Sequence, residues 1–130
     1  MNIRKTLLVS IVALLLFGGV SEAYGQKWKL ISATTATRRA KRHTAVILKK
    51  HDDIRSIKLK ALNAAVKVWD MTIHYRNGES QAVSLPAIIY RNAETPSIRL
   101  DERGGIRSIS FYMNAVTFSK KTAVIWIYGR

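Results

Sequence analysis

The sequence predicts an all-β protein, an antiparallel β-sandwich of about seven to nine short strands behind an N-terminal signal-peptide helix. Three observations carry that prediction. Apolar and polar residues alternate in short runs, as in Ile57-Lys58-Leu59-Lys60-Ala61 and Met71-Thr72-Ile73-His74-Tyr75. Turn-forming clusters separate the runs: His51-Asp52-Asp53, Asn77-Gly78 and Gly104-Gly105. Beyond Phe17 no stretch sustains a period of 3.6 residues.

The segment ahead of the domain has a different grammar. Arg4 and Lys5 precede an apolar run from Leu7 to Phe17, and small residues follow at Ser21 and Ala23. Charged, apolar and small residues in that order describe a secretory leader. As a helix the run would reach about 16 Å at 1.5 Å per residue. That is short of a bilayer core of roughly 30 Å, so a permanent anchor is not expected. The expected organisation is a leader at 1–23, cleaved after Ala23, and one domain at 24–130, which places the protein in the periplasm or outside the cell. The chain has no cysteine. A lipid-anchored leader and disulfide staples are thereby excluded, and burial alone must hold the domain together.

Within the domain, Lys27–Ser32 alternates and suits a first strand, and the Thr-rich stretch Ala33–Arg39 reads as a loop. Thr44–Leu48 is the second strand and Ile54–Leu62 the third, with Ile57, Leu59 and Ala61 on one face and Lys58 and Lys60 on the other. Val66 and Val68 fall on even positions, whereas Met71, Ile73 and Tyr75 fall on odd ones. An extra residue near Trp69-Asp70 would turn both sets to the core, so a β-bulge or bend is expected there. Asn77-Gly78 predicts a tight type I′ reversal into Gln81, Val83 and Leu85. Pro86 ends that strand. Ile88–Tyr90, Ser97–Leu100 and Ile106–Met113 supply further strands, Asn114–Lys121 a connection, and Thr122–Tyr128 a closing central strand. Ile54-Arg55-Ser56-Ile57 is echoed by Ile106-Arg107-Ser108-Ile109, which suits matching strands in the two sheets or a chance likeness of strand openings.

Several of these residues form a pattern: Lys58–Lys60, Val66, Val68, Met71, Ile73, Tyr75, Asn77-Gly78, Ile98, Leu100, Gly104-Gly105 and Ile106–Ile109. The pattern resembles small exported bacterial β-proteins of uncharacterised function, of the YaaI-like kind. That resemblance implies a compact β-sandwich after a signal peptide and brings no catalytic residues with it. Arg99 departs from the acidic or small residue expected before Leu100.

Charge points to a class of partner. The chain carries 22 Lys plus Arg against 8 Asp plus Glu; without Arg4, Lys5 and Glu22 the counts fall to 20 and 7, a net +13. Such a charge draws anions, whether or not it also serves solubility. Arg38, Arg39, Lys41 and Arg42 concentrate it in what reads as a flexible loop, and guanidinium groups suit phosphate oxygens. These four are the predicted anion-binding residues, with envelope polymers or lipid headgroups as partners. No aromatic residue interrupts the cluster, so stacking on nucleic-acid bases is not indicated.

No catalytic residue, metal site or cofactor is expected. There is no Gly-x-Ser-x-Gly elbow, and His51-Asp52-Asp53 reads as a polar turn rather than a ligand set. His74 falls on the polar face of the hairpin and reads as solvated. Asp70, beside Trp69 at the expected bulge, is the one acid outside a turn that draws notice, and one acid defines no reaction. A non-catalytic binding or structural module of the cell envelope that favours anionic surfaces is the expected function. Partner binding at an open sheet edge is the alternative, and a hydrolase the less favoured third.

Overall fold

A computed structural model describes residues 27–85, 87–117 and 122–130. The predicted leader, its cleavage position and the Lys120-Lys121 pair lie outside the described residues. Among these residues nine strands form two packed antiparallel sheets. They are β1 (Lys29–Ala36), β2 (Lys41–Val46), β3 (Ser56–Leu62), β4 (Ala65–Tyr75), β5 (Ser80–Ala82), β6 (Ile88–Ile89), β7 (Ile98–Arg99), β8 (Ile106–Val116) and β9 (Ala123–Gly129). Sheet one has the order β1-β9-β3-β7; sheet two has β2-β8-β4-β5, with β6 also pairing β4. Among the described residues no helix is long and apolar enough to cross a membrane.

The core is the sum of the inward positions. Ile57, Leu59 and Ala61 of β3 face Ile125 and Ile127 of β9 within sheet one. Val66, Met71, Ile73 and Tyr75 of β4 lie beside Ile106, Ile109, Phe111 and Met113 of β8 in sheet two. All of these are almost wholly removed from water. The two echoed segments end up in β3 and β8, each an interior strand of its own sheet.

The expected bulge is present. The β4–β8 register slips between Val68 and Asp70, so Trp69 is the extra residue and both apolar sets face inward. The reversal at Asn77-Gly78 differs in type from the expectation. Gly78 donates to the Tyr75 carbonyl at 3.1 Å, and Tyr75 donates to Glu79 at 2.9 Å. The loop therefore holds three residues, Arg76 to Gly78, and only Gly78 takes a positive φ, of 92°. This is a type I turn closed by a glycine bulge rather than the two-residue type I′ turn. Asn77 keeps an ordinary φ because its Oδ1 accepts from the Glu79 N–H at 2.9 Å.

Three other boundaries move. The expected loop at Ala33–Arg39 is strand as far as Ala36, because β9 offers partners that far: Thr34 pairs Ile125 and Ala36 pairs Ala123. A register slip between Leu30 and Ser32 lets Ile31 reach the core. At the other end of the domain β8 continues to Val116, paired with Ala65, where a connection was expected from Asn114. The basic cluster is not one flexible loop either: Lys41 and Arg42 belong to β2, held by Met113 and Tyr112 of β8.

Candidate functional site

The four predicted anion-binding residues sit at one end of the sandwich. Arg38 and Arg39 are exposed in the corner between β1 and β2, and Lys41 and Arg42 are exposed at the start of β2. Arg42 is committed within the fold. Its Nη2 lies 3.5 Å from Asp70 Oδ2, and its guanidinium carbon lies 5.9 Å from the centre of the Tyr112 ring. The register explains that reach, since Tyr112 of β8 pairs Arg42 on one side and Asp70 on the other. Both partners are about half exposed, so the pair adds well under 1 kcal/mol.

Lys49 and Lys50 do not join this corner. They follow β2 in a short 3₁₀ turn, Lys49–His51, and β2 spans roughly 20 Å at 3.3 Å per residue. Lys58 and Lys60 lie on the outer face of sheet one, paired with Tyr128 and Trp126, whereas Arg42 is on the outer face of sheet two. The positive charge therefore divides between regions.

The opposite end of sheet one gathers more of it. Here β1 begins, β9 ends and β3 starts, because Lys29 and Ile57 both pair Gly129. Gly129 suits that junction: a Cβ there would lie 3.1 Å from Ile54 Cδ1 and 3.2 Å from Ile31 Cδ1. Arg130 is fixed by its backbone, its N–H donating to Ser56 and its carbonyl accepting from Arg55 at 2.7 Å and Ser56 at 3.0 Å. Lys27, Lys29, Asp53, Ile54 and Arg130 line an open cleft of about 260 Å³. Trp28 holds the cations beside it in place. The Arg130 guanidinium carbon lies 4.4 Å and Lys58 Nζ 4.7 Å from the Trp28 ring centre, close enough for cation–π attraction. Lys58 also pairs with Glu94 at 2.9 Å.

A second, smaller hollow of about 200 Å³ lies beyond Arg55, between Arg99, Arg103 and the acids Asp101 and Glu102. Asp52 is withdrawn from this end's charge by Arg76, whose Nε is 2.7 Å from Asp52 Oδ1 and whose Nη2 donates to the Ile47 carbonyl at 2.8 Å. The sequence reading missed this site. Lys27, Trp28 and Lys29 are separated from Arg130 by the whole domain, and only the β1–β9–β3 pairing brings them together. The alternation of Lys27, Trp28 and Lys29 was the local signal; nothing local marked Arg130.

Two histidines record the crowding. His51 is buried, and its pKa is lowered by burial first and then by Lys50 and Lys29, against a smaller upward pull from Asp53. His43 is lowered by burial and by Lys41. Neither His51 Nδ1 nor His43 Nε2 has a hydrogen-bond partner. Both imidazoles are therefore favoured neutral in the fold, and the unfolded chain binds protons more readily. Their contribution to stability is complete above the unfolded pKa of about 6.5 and is lost as pH falls through the lowered folded values. The urea midpoint should drop between pH 7.5 and pH 5, and His51→Gln should flatten that slope. An unchanged slope in the variant would remove His51 from the account.

His74 is not solvated as expected: it is half-buried, with Nε2 3.0 Å from Ser110 Oγ. Among the described residues no carboxylate hydrogen-bonds His74, so the pair lacks the group that would orient a base. Asp70 does stand at the bulge, by a hollow of about 230 Å³ bounded by Val68–Met71 and Val83–Leu85, but it faces Arg42 rather than a nucleophile. Among the described residues no three His, Cys, Asp or Glu side chains gather as a metal site would require.

Comparison with known proteins places the chain by sequence. The model of a family described as a domain of unknown function (DUF2541) matches residues 8–129. The chain belongs to this family. The DUF2541 match extends over all the described strands and ends one residue before Arg130. The resemblance drawn from the strand pattern is thus met at the level of a family without an assigned function. No curated protein matches the chain. A solved structure reported as the structural and functional characterisation of Pseudomonas aeruginosa AlgX is similar at 13% identity and a TM-score of 0.48. The match covers 78% of the DUF2541 chain and 27% of that chain, so this protein corresponds to about a quarter of AlgX's length.

Proposed function

We propose that this protein is a non-catalytic binding module of the cell envelope, exported in the YaaI-like manner that its leader suggests, which attaches to anionic polymers or lipid headgroups. The observation that carries this reading is the concentration of cations where β1, β3 and β9 meet. Lys27, Lys29 and Arg130 surround one cleft, Lys49 and Lys50 approach through the 3₁₀ turn, and Arg55 leads to Arg99 and Arg103. Of the carboxylates nearby, Asp52 is already taken by Arg76. An open end with surplus cations suits contact with a charged surface more than enclosure of a substrate. The corner at Arg38, Arg39, Lys41 and Arg42 offers a second anion contact at the far end, so one molecule could bridge two strands of a polymer.

Binding to phosphatidylglycerol vesicles, against phosphatidylcholine vesicles as control, tests this. Attraction near an anionic surface is about 1 kcal/mol per Lys or Arg and is screened by salt. Affinity should fall steeply between 50 and 300 mM salt, as the Debye length shortens from roughly 14 Å to roughly 6 Å. The double substitution Lys49→Gln and Lys50→Gln should weaken binding by about tenfold or more. Absence of binding, or equal binding at both salt levels, would sink the reading.

A second reading is partner binding at the β2 edge, favoured by the exposure of Val46 and Leu48 beside it. Among the described residues β2 pairs β8 on one side and stands at the edge of sheet two. Lys41 and Arg42 on the same strand blunt that edge against casual pairing, so this reading ranks second.

A further inference from the structure

We infer that the cleft between Lys27, Lys29 and Arg130 is a specific site for a phosphomonoester of a small polyol, whether carried by a lipid headgroup, a polymer end or a soluble ester. The inference rests on the anion-binding reading above and deepens it: attraction to a surface needs only charge, whereas this cleft has shape and a tethered guanidinium.

Arg130 is the anchor. Its backbone is tied on both sides to β3 through Arg55 and Ser56, and its guanidinium lies against Trp28 at 4.4 Å. A planar fork held in this way can take two oxygens of one anion with little further loss of freedom. Lys27 and Lys29, on the adjoining start of β1, add two compact charges to the same cleft. A carboxylate has two oxygens, and the arginine alone would use both. A tetrahedral phosphate has oxygens left for the lysines. Lys27, Lys29 and Arg130, set against Asp53, also favour a doubly charged monoester over a singly charged diester.

The rest of the cleft speaks for an ester rather than inorganic phosphate. About 260 Å³ exceeds what a phosphate group fills, given roughly 30 Å³ for each water of liquid. Asp53 is the acceptor that a polyol hydroxyl needs, and Ile54 is an apolar wall for its carbons. An Asp beside an anion site is a liability unless it holds something else, and a hydroxyl donor is the group that removes the conflict.

The test titrates the isotopically labelled protein by NMR at fixed ionic strength with glycerol 3-phosphate, inorganic phosphate and dimethyl phosphate. Glycerol 3-phosphate should bind at least tenfold tighter than dimethyl phosphate and tighter than inorganic phosphate. The shifted resonances should cluster at 27–29, 53–55 and 129–130. Arg130→Gln and, separately, Lys29→Gln should each weaken glycerol 3-phosphate by at least tenfold; two variants guard against one that fails to fold. Arg91→Gln, an exposed cation that bridges Ala61 at the other end of β3, should change it less than twofold. Equal affinity for the monoester and the diester, or an equal loss in Arg91→Gln, would overturn the site while leaving salt-dependent vesicle binding intact. Retained glycerol 3-phosphate binding with no attachment to phosphatidylglycerol vesicles would instead overturn the surface reading alone. Binding to phosphatidic acid vesicles that glycerol 3-phosphate displaces would support a lipid source, and binding of the free ester without it a soluble one.

Discussion

Gly105→Ala is expected to cost about 3 kcal/mol or more, enough to leave much of the protein unfolded at modest urea. Gly105 has a φ of 104°, and a Cβ there would stand 2.1 Å from Asp52 Oδ1 and 2.4 Å from Asp52 Cγ. The backbone cannot relax away easily, because the Gly105 carbonyl accepts from the Arg76 N–H at 3.1 Å. Moving Asp52 instead breaks its 2.7 Å contact with Arg76, which ties the 3₁₀ turn to the β4–β5 hairpin. Gly104→Ala is the control. Its φ is similar, at 96°, but a Cβ there meets nothing within 4 Å. It should cost only the conformational strain, about 1–2 kcal/mol. Urea unfolding of the two variants separates the clash from the dihedral. Equal midpoints would show that Asp52 yields without cost.

Phe111→Ala should cost about 3–5 kcal/mol, the usual penalty for removing a buried ring. Phe111 is fully buried at the middle of β8, opposite His43 on β2 and Met71 on β4. β8 joins those two strands within sheet two, so the void would open where the sheet has least means to collapse. The next residue gives the contrast. Tyr112 points to the outer face, packs against Arg42 and is 39% exposed. Tyr112→Ala should cost no more than about 1 kcal/mol. A similar loss for both would mean that the alternation along β8 does not define inside and outside as described.

That alternation is what the sequence displayed best. Positions such as Ile57, Leu59 and Ile73 could be placed in the core from period alone, because each strand has one wet and one dry face. The bulge at Trp69 was legible for the same reason: two sets of buried residues fell out of phase, and one extra residue reconciles them. Where local chemistry competes with pairing, the reading was weaker. Asn77-Gly78 signals a tight turn equally well for a two- or three-residue loop, and the choice lies in the register of Tyr75 with Glu79. Thr34 and Thr35 looked like loop because their polarity hid a β-branched preference that β9 exploits. The cleft was the least legible feature. Charge clusters are visible only when contiguous, as at Arg38–Arg42, whereas Arg130 meets Lys29 through the pairing of β1 with β9.

The placement of β9 carries a consequence for how the molecule comes into being. β9 is synthesised after both β1 and β3, yet it fills the place between them in sheet one. Until it arrives, those two strands have no shared neighbour and both present unpaired backbone edges. Nascent or truncated chains lacking 123–129 should therefore stay open, slow to mature and prone to clumping. A chaperone that shields strand edges would find its client in this unfinished form rather than in the completed protein.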